Sequence, residues 1–459
     1  MKYTNVSPSI LFLTFCFATV FLFIHGQGCA ANIKAQENKA SSPAHGILGL
    51  VLTWQQDPTT TMTIDWHTGP DANPSSMEYR ELNGDDGWKR VAGQQLEFPF
   101  SDRLIHRVEL TGLSPDTEYQ FRFHDHSLPR KFRTMPLEPH RPIRFAMGGD
   151  VRHRPDFMER TNRWAATYDP DFIVWGGDLA YADGRQDRLD RWYEFLEVMK
   201  HSLVTPDGRV IPVLAGIGNH EVAGGYHDRD DHDRREGFPP YRQVDESRAL
   251  IAPYFFSLFA FPGQPGYNVL DFGNYLSIIL LDSDHANPVK GEQTVWLQNV
   301  LEERSHVTHI IPTYHLAAWP SVRNPDSGRL QELRELWHPL FEKHGISVVF
   351  ENHDHAYKRT HPIRNGKIDP DGIVYMGDGA WGVNTRAIGG SHREHAWYLK
   401  RASSERHFIL GTIHGRLAHY VVINEFGDII DEYPRTSHTD RHKNQMAPLW
   451  VPSIPDEEE

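Results

Sequence analysis

From residue 46 to residue 135, apolar and polar positions alternate in short runs at 48–54, 62–66, 77–82, 107–110, 119–124 and 131–134. A period of two puts every second side chain on one face, which predicts half-buried strands. Pro70-Asp71, Asn83-Gly84-Asp85 and Ser114-Pro115-Asp116 separate the runs, as the turns of an antiparallel sandwich do. Residues 136–142 are proline-rich and read as a linker. Beyond it the runs 143–147, 172–175, 210–214, 276–281, 309–311 and 347–350 are apolar almost throughout, the mark of strands covered on both faces. Residues 156–168, 187–201, 293–303 and 330–344 carry helical spacing, and 372–376 and 408–423 read as further strands. The pattern predicts two domains, an N-terminal all-β sandwich over 46–135 and an α/β domain of βαβ units with antiparallel edges over 143–435. Residues 436–459 read as a tail with an acidic, disordered end.

A chain of 459 residues is long enough for two cores. Its formal charge of -14 argues against nucleic acid as a stable partner, or general attraction to an anionic membrane. An anionic substrate would need a local positive centre, which bound metal ions supply. Lys2 precedes an apolar stretch at 10–24 and small residues up to Ala31, so residues 1–31 read as a signal peptide. The stretch is shorter than the roughly 20 residues of a spanning helix. Cys16 and Cys29, the two cysteines, fall inside residues 1–31, so the body holds neither disulfide nor thiolate site. Gly26-Gln27-Gly28-Cys29 resembles a lipoprotein attachment box but lacks the apolar residue three before the cysteine. A lipid anchor at Cys29 and plain cleavage near Ala31 are the two readings. The protein is therefore expected to be exported, to a periplasm, the cell exterior or a lipid anchor at the cell surface; oligomeric state is unassigned.

Chemistry-bearing residues follow the apolar runs: Gly149-Asp150, Gly177-Asp178-Leu179-Ala180-Tyr181, Gly218-Asn219-His220-Glu221, His315 and His353-Asp354-His355. In an open α/β sheet the pocket lies beyond the carboxyl ends of the strands, where residues distant in sequence converge. Each cluster has an ordinary reading alone, since an aspartate after two glycines caps a turn and a single histidine or tyrosine packs in a core. As a set they offer only oxygen and imidazole donors, suited to iron, manganese or zinc. Paired ions can clamp the attacking and leaving oxygens of an in-line displacement.

In this order the clusters resemble the calcineurin-like metallophosphoesterase superfamily over about residues 143–425, and Asp178-Leu179-Ala180-Tyr181 resembles purple acid phosphatases within it. Residues 110–119 resemble the tyrosine-corner region of fibronectin type III modules, and the sandwich is similar to the N-terminal domain of plant-type members. The resemblance implies a four-layer α/β sandwich holding two metal ions, Fe(III) with Fe(II), Zn(II) or Mn(II). It gives Asp150, Tyr181 and His355 to one ion and Asn219, His315 and His353 to the other, with Asp178 bridging. His220 would contact the phosphate or assist proton transfer. The implied activity is that of an acid phosphatase-like phosphomonoesterase acting on a small-molecule phosphoester, with a hydroxide held by the metals attacking phosphorus. Ionising Tyr181, whose free phenol has a pKa of about 10, would need a strong Lewis acid. A ferric–divalent pair with tyrosinate and a divalent pair with neutral tyrosine leave the same net charge, so charge does not choose the metals.

The chain departs from that pattern in places. Arg152 stands two after Asp150, where related phosphodiesterases often carry histidine; it would bind substrate phosphate or pair with an acid at the rim. Pro312-Thr313-Tyr314 before His315 is unusual wording, and Asn352 replaces a common glycine before His353. His353 and His355 can face one site only through a bent backbone. No histidine lies between Leu316 and Leu336, which leaves His220, Asp326 or water as the leaving-group acid. Tyr357 and Arg359 continue family-like wording, with a structural role as open as a functional one, and the charged stretch 224–237 reads as a solvated loop or a lid. The rival functions are a phosphodiesterase or nucleotide-cleaving hydrolase on the same site, and a surface binding protein with a degenerate phosphoesterase domain. The complete ligand set speaks against the second.

Overall fold

The computed structural model of the chain describes residues 46–71, 75–123, 128–224, 244–388 and 396–434. The expected signal peptide with Cys16 and Cys29, the C-terminal tail and nearly all of the stretch 224–237 lie outside the described residues.

The N-terminal domain is built from β1 Gly49–Thr53, β2 Met62–Thr68, β3 Ser76–Glu81, β4 Lys89–Ala92, β5 Gln94–Glu97, β6 Leu104–Leu110, β7 Glu118–Arg122 and β8 Arg130–Arg133. They form two antiparallel sheets, ordered β1-β2-β6-β5 and β4-β3-β7-β8. The Tyr119 hydroxyl accepts the Ser114 N–H at 2.9 Å, the bond that defines a tyrosine corner. Strands β4 and β5 are edges whose residues are exposed or half-buried. With no covered face they carry no apolar period, and the sequence pattern passes over both.

The second domain runs through β9 Ile143–Gly148, α1 Pro155–Thr167, β10 Phe172–Trp175, α2 Leu189–Ser202, β11 Val213–Ala215, α3 Asp245–Ile251, α4 Pro253–Leu258, β12 Asn268–Phe272, β13 Leu276–Leu280, α5 Glu292–Glu303 and β14 His309–Leu316. It continues with α6 Gly328–Leu336, α7 His338–Lys343, β15 Val348–Asn352, β16 Tyr357–Thr360, a ribbon of β17 Ile363–Arg364 and β18 Lys367–Ile368, β19 Val374–Gly377, β20 Leu399–Ser403, β21 His407–His414, β22 Leu417–Asn424 and β23 Ile429–Tyr433. One sheet is ordered β11-β10-β9-β21-β22-β23 and the other β12-β13-β14-β15-β19-β16-β20. Parallel pairing joins β9, β10 and β11 in the first and β13, β14, β15 and β19 in the second, while the other neighbours are antiparallel.

Burial on both faces explains the nearly unbroken apolar strands. Ala146, Ile173, Trp175 and Val213 face a core shared with Met158, Leu196 and Met199 of α1 and α2. Their neighbours Phe145, Met147, Phe172 and Val174 face Leu276, Ile278, Ile311 and Phe350 of the second sheet. That sheet turns Ile279, Tyr314 and Val349 toward Leu297, Leu333 and Phe341 of α5, α6 and α7. The layers are thus helix, sheet, sheet, helix. The inner core continues into the sandwich, where Trp54 meets Phe172 and Phe272 edge-on at centroid distances of 6.1 and 5.7 Å.

Two of the expected elements change their bounds at a proline. The single helix expected over 330–344 is α6 and α7, because Pro339 has no N–H for an interior helical bond and sits instead in the first turn of a new helix. The strand expected from 210 begins at Val213, after Pro212. The Val210 N–H bonds Lys131 O at 2.8 Å and the Ile211 N–H bonds Leu203 O at 3.1 Å, outside the sheet ladder.

Candidate metal centre

Asp150, Asp178 and Asn219 follow β9, β10 and β11; His315 closes β14, and His353 and His355 follow β15. Parallel pairing within each sheet brings these ends to one edge. The backbone there turns sharply: φ is 56° at Asp150, 55° at Asp178, 58° at Tyr181, 81° at His353 and 58° at His355. L-residues adopt this left-handed region at a cost, and such residues cluster at functional sites. The two bends let His353 and His355 serve one site, which an extended strand end would forbid.

The donor atoms fall into two groups that share Asp178. In the first, the Tyr181 hydroxyl donates to Asp150 Oδ1 at 3.1 Å and lies 3.1 Å from His355 Nε2, which is itself 2.9 Å from Asp150 Oδ1. In the second, His315 Nε2 lies 3.2 Å from Asn219 Oδ1, 3.1 Å from Asp178 Oδ2 and 3.0 Å from His353 Nδ1. Donor atoms of Asp150, Asp178 and His355 all lie within 4.8 Å of one another, as do those of Asp178, His315 and His353. Asp150, Asp178, Tyr181, His315, His353 and His355 are buried and Asn219 is half-buried.

The surroundings prepare these atoms for cations. His315 Nδ1–H donates to Gly176 O at 3.0 Å and His355 Nδ1–H to Asn384 O at 3.3 Å, which leaves each Nε2 with its lone pair toward the cluster. Asp178 Oδ2 is buried without a hydrogen bond among the described residues. Asp150 Oδ2 accepts the His353 N–H at 2.8 Å, and Gly379, at φ 66°, makes room for it: a Cβ there would lie 1.7 Å from that oxygen. Asn352 donates to Tyr314 O at 3.0 Å and occupies space that a Cβ on Gly149 or Gly176 would enter, at 2.5 and 1.9 Å from its side chain. The donor set and its geometry fit a pair of hard or borderline ions.

Electrostatics follow the crowding. Burial raises the Asp178 carboxyl, but His315 and His220 more than offset it and hold it well below the usual range. Burial, then Asp150 and Asp178, push the Tyr181 phenol well up. Burial works against protonated His315, yet Asp178 and Asp150 bring it up to about 9. Burial and the facing His315 press His353 well down.

His220 stands beside the cluster. Its ring packs on Tyr181 at a centroid distance of 4.2 Å, its Nε2 is 3.9 Å from Asp178 Oδ2, and its Nδ1 meets Asp183 Oδ1 at 2.5 Å. Asp183 in turn pairs with Arg188. Arg152 is buried and ion-paired with Glu194 of α2, the acid-partner alternative of its two readings. Asp326 is exposed, with its N–H on Asn324 Oδ1 at 3.0 Å, and no contact among the described residues brings it to the donor set. Tyr357 and Arg359 both bond Asp431 of β23, at 2.8 and 2.6 Å, and tie the two sheets together.

Sequence reasoning left Glu221 and Asp183 without roles. Glu221 is buried and accepts the N–H groups of Asp178, Gly218 and Leu179 at 2.8, 2.7 and 2.7 Å, which clamps the two loops that carry Asp178 and Asn219. Burial, with Asp178 facing it, raises its carboxyl to about 7. Both residues sit inside quoted clusters or just after one; their chemistry shows only when the backbone N–H groups around them are placed.

Two family models match the chain: Purple acid Phosphatase, N-terminal domain, over residues 47–134, and Calcineurin-like phosphoesterase over residues 140–357. Among curated proteins the chain is similar to Purple acid phosphatase 21 of Arabidopsis thaliana, 26% identical over 399 residues that cover 83% of this chain and 85% of the relative. Purple acid phosphatase 18 of the same plant is 25% identical over 346 residues, covering 69% and 68%. Among solved structures, a purple acid phosphatase from yellow lupin (Lupinus luteus) seeds aligns with a TM-score of 0.64 and 16% identity over 84% of this chain and 73% of that one. A structure of PhoD aligns at 0.60 and 14% identity, over 87% and 98%. At these identities the two structures speak to the fold alone.

Proposed function

Because the chain belongs to the calcineurin-like phosphoesterase superfamily, and is purple acid phosphatase-like within it, it is a metal-dependent phosphoric ester hydrolase, and we propose that it is an exported phosphomonoesterase with a binuclear centre. The observation that carries this reading is the pair of donor groups closing on one shared carboxylate. In this reading Asp150, Tyr181 and His355 hold one ion, Asn219, His315 and His353 hold the other, and Asp178 touches both. The first group brings a carboxylate and an ionisable phenol, so it suits the more strongly Lewis-acidic Fe(III); the second brings only neutral donors of its own and suits Fe(II), Zn(II) or Mn(II).

Ions bound there supply Lewis acidity toward the phosphoryl group and the attacking water. The residues of the chain do the rest. Glu221 keeps the Asp178 and Asn219 loops in register through three N–H groups. Asp183 takes the Nδ1 side of His220, which leaves Nε2 facing the cluster. There His220 can hydrogen-bond a phosphoryl oxygen and pass a proton to the leaving alkoxide. Arg152 is engaged by Glu194 and has no part in this scheme.

Two measurements on metal-replete protein test the reading. An aryl phosphomonoester should be cleaved with kcat/KM about tenfold or more above that of the matched bis-aryl diester; the reverse order would make the protein a phosphodiesterase. A broad visible band that disappears in Tyr181→Phe would place tyrosinate on Fe(III). A colourless but active protein would move the centre to zinc or manganese.

A further inference from the structure

Where the sequence lacks a histidine, between Leu316 and Leu336, the structure brings an arginine to the edge of the centre. Two fully buried carboxylates set its place. Asp378 Oδ2 accepts the Ser321 N–H at 2.9 Å and the Ser321 hydroxyl, and Asp354 Oδ2 accepts the Val322 and Arg323 N–H groups at 2.6 and 3.0 Å. Asp354 Oδ1 also meets Arg323 Nε at 3.1 Å. Three consecutive N–H groups are thereby anchored, and the Arg323 side chain leaves from a held backbone.

A second arginine arrives from the loop after β19. The Arg386 N–H donates to His355 O at 3.0 Å, so this loop runs alongside the turn between His353 and His355. Arg323 Nη2 and Arg386 Nη1 then donate to the same acceptor, the carbonyl oxygen of His353, at 3.4 and 3.3 Å. Asp354 balances the charge of Arg323, whereas no acid among the described residues pairs with Arg386. Two guanidinium groups held side by side on one neutral oxygen repel each other, and the peptide N–H of Arg386 holds the loop on His355 O independently of its side chain. In a chain of net charge -14, this pair is a local reversal of sign next to the turn that carries two candidate metal donors. Planar guanidinium forks match carboxylate and phosphoryl groups.

We propose that Arg323 and Arg386 form an anion subsite that binds a second negatively charged group, carboxylate or phosphoryl, carried on the leaving-group side of the substrate. The proposal rests on the phosphoesterase reading above and deepens it: the preferred substrates are phosphomonoesters of acidic alcohols, or compounds with a second phosphoryl group, over plain monoesters.

The test compares phenyl phosphate with 2- and 4-carboxyphenyl phosphate, and in parallel the binding of phenylphosphonate with that of the two carboxyphenylphosphonates, which do not turn over. In Arg386→Gln, kcat/KM for the better carboxylated ester should fall at least about tenfold more than for phenyl phosphate, mainly through KM. Arg386→Lys should recover part of the loss, Arg323→Gln should act in the same direction, and added salt should shrink the preference. Equal losses on both esters, or none on either, would overturn the subsite. If wild-type protein hydrolyses no phosphoester yet binds a carboxyphenylphosphonate more tightly than phenylphosphonate through Arg386, the hydrolase reading fails and the subsite stands.

Discussion

In the sandwich, the described residues with left-handed φ are Phe100, Gly112 and Asp116, all in turns or bends. At the carboxyl ends of the two large sheets they include five of the seven candidate donors, Asp150, Asp178, Tyr181, His353 and His355, beside Asp183, Asp378 and glycines such as Gly177, Gly377 and Gly379. Both domains use sharp backbone to reverse direction; the second also uses it to aim candidate donor side chains. Each such non-glycine residue costs on the order of 1–2 kcal/mol, and the metal end offsets this with buried acceptors that take backbone N–H groups: Glu221 takes three, Asp354 two, and Asp150 the His353 N–H. At this end like and unlike donors lie close together, and His315 and His353 face each other nitrogen to nitrogen at 3.0 Å. The site end is thus a strained frame around closely packed candidate donors, which the proposed ions would complete, while the sandwich needs no such group.

Removal of the shared carboxylate should break the comparison most severely. Asp178→Asn should lower kcat by about a thousandfold and reduce bound metal per chain, with the thermal unfolding of the sandwich little changed. Turnover at the wild-type level would show that the centre lies elsewhere. The next largest effect is expected where the frame has no slack. Gly379→Ala puts a Cβ 1.7 Å from Asp150 Oδ2 at a left-handed φ of 66°, and should cost about 3 kcal/mol in urea unfolding. It should also empty the Asp150–Tyr181–His355 group before the Asn219–His315–His353 group. Simultaneous loss of both ions would mean that the two groups do not load separately.

The same contrast separates what was legible in the sequence from what was not. The covered strands of the α/β domain could be read because β9, β10, β13, β14 and β15 are mostly buried and therefore mostly apolar, while the four layers were implied by the family resemblance. The convergence of the candidate donors could be read because their order along the chain is chemistry placed at strand ends. Edge strands β4 and β5 were invisible for want of a buried face, and Pro212 and Pro339 moved two element boundaries. Glu221 and Asp354 stayed silent because their partners are backbone N–H groups, which every residue except proline carries and no side-chain motif reports. Arg152 had two readings in sequence, and its contact with Glu194 on α2 could not be read there because it joins two distant segments.

The sandwich has its own exposure to acid, independent of the metal end. His67 on β2 is fully buried with neither ring nitrogen hydrogen-bonded among the described residues. Burial, then Arg103, His106 and Arg107, lowers it to about 3 from an ordinary 6.5. The folded state keeps the ring neutral while the unfolded state takes up a proton below 6.5, so the unfolded chain binds more protons. Stability from this residue is therefore present above 6.5 and is lost as pH falls toward 3. Between pH 6.5 and 5 the loss should be about 2 kcal/mol. The urea midpoint of wild type should fall relative to that of His67→Leu as the pH is lowered over that range. An offset independent of pH would mean that the ring is already charged in the folded protein.

The smallest expected effect sits at the tyrosine corner. Tyr119 stacks on Phe132 at a centroid distance of 5.3 Å, and Tyr119→Phe keeps that ring contact. What it removes is the hydroxyl that accepts the Ser114 N–H at 2.9 Å. One part-buried N–H then loses its partner, which should cost about 1 kcal/mol. Because the sandwich shares its core with both catalytic sheets through Trp54, Phe172 and Phe272, the loss should appear as a lower midpoint of a single unfolding transition, with turnover per folded molecule retained. A separate early transition for the sandwich would show that this core does not couple the domains, and the contrast between them would then extend from how they use backbone strain to how they unfold.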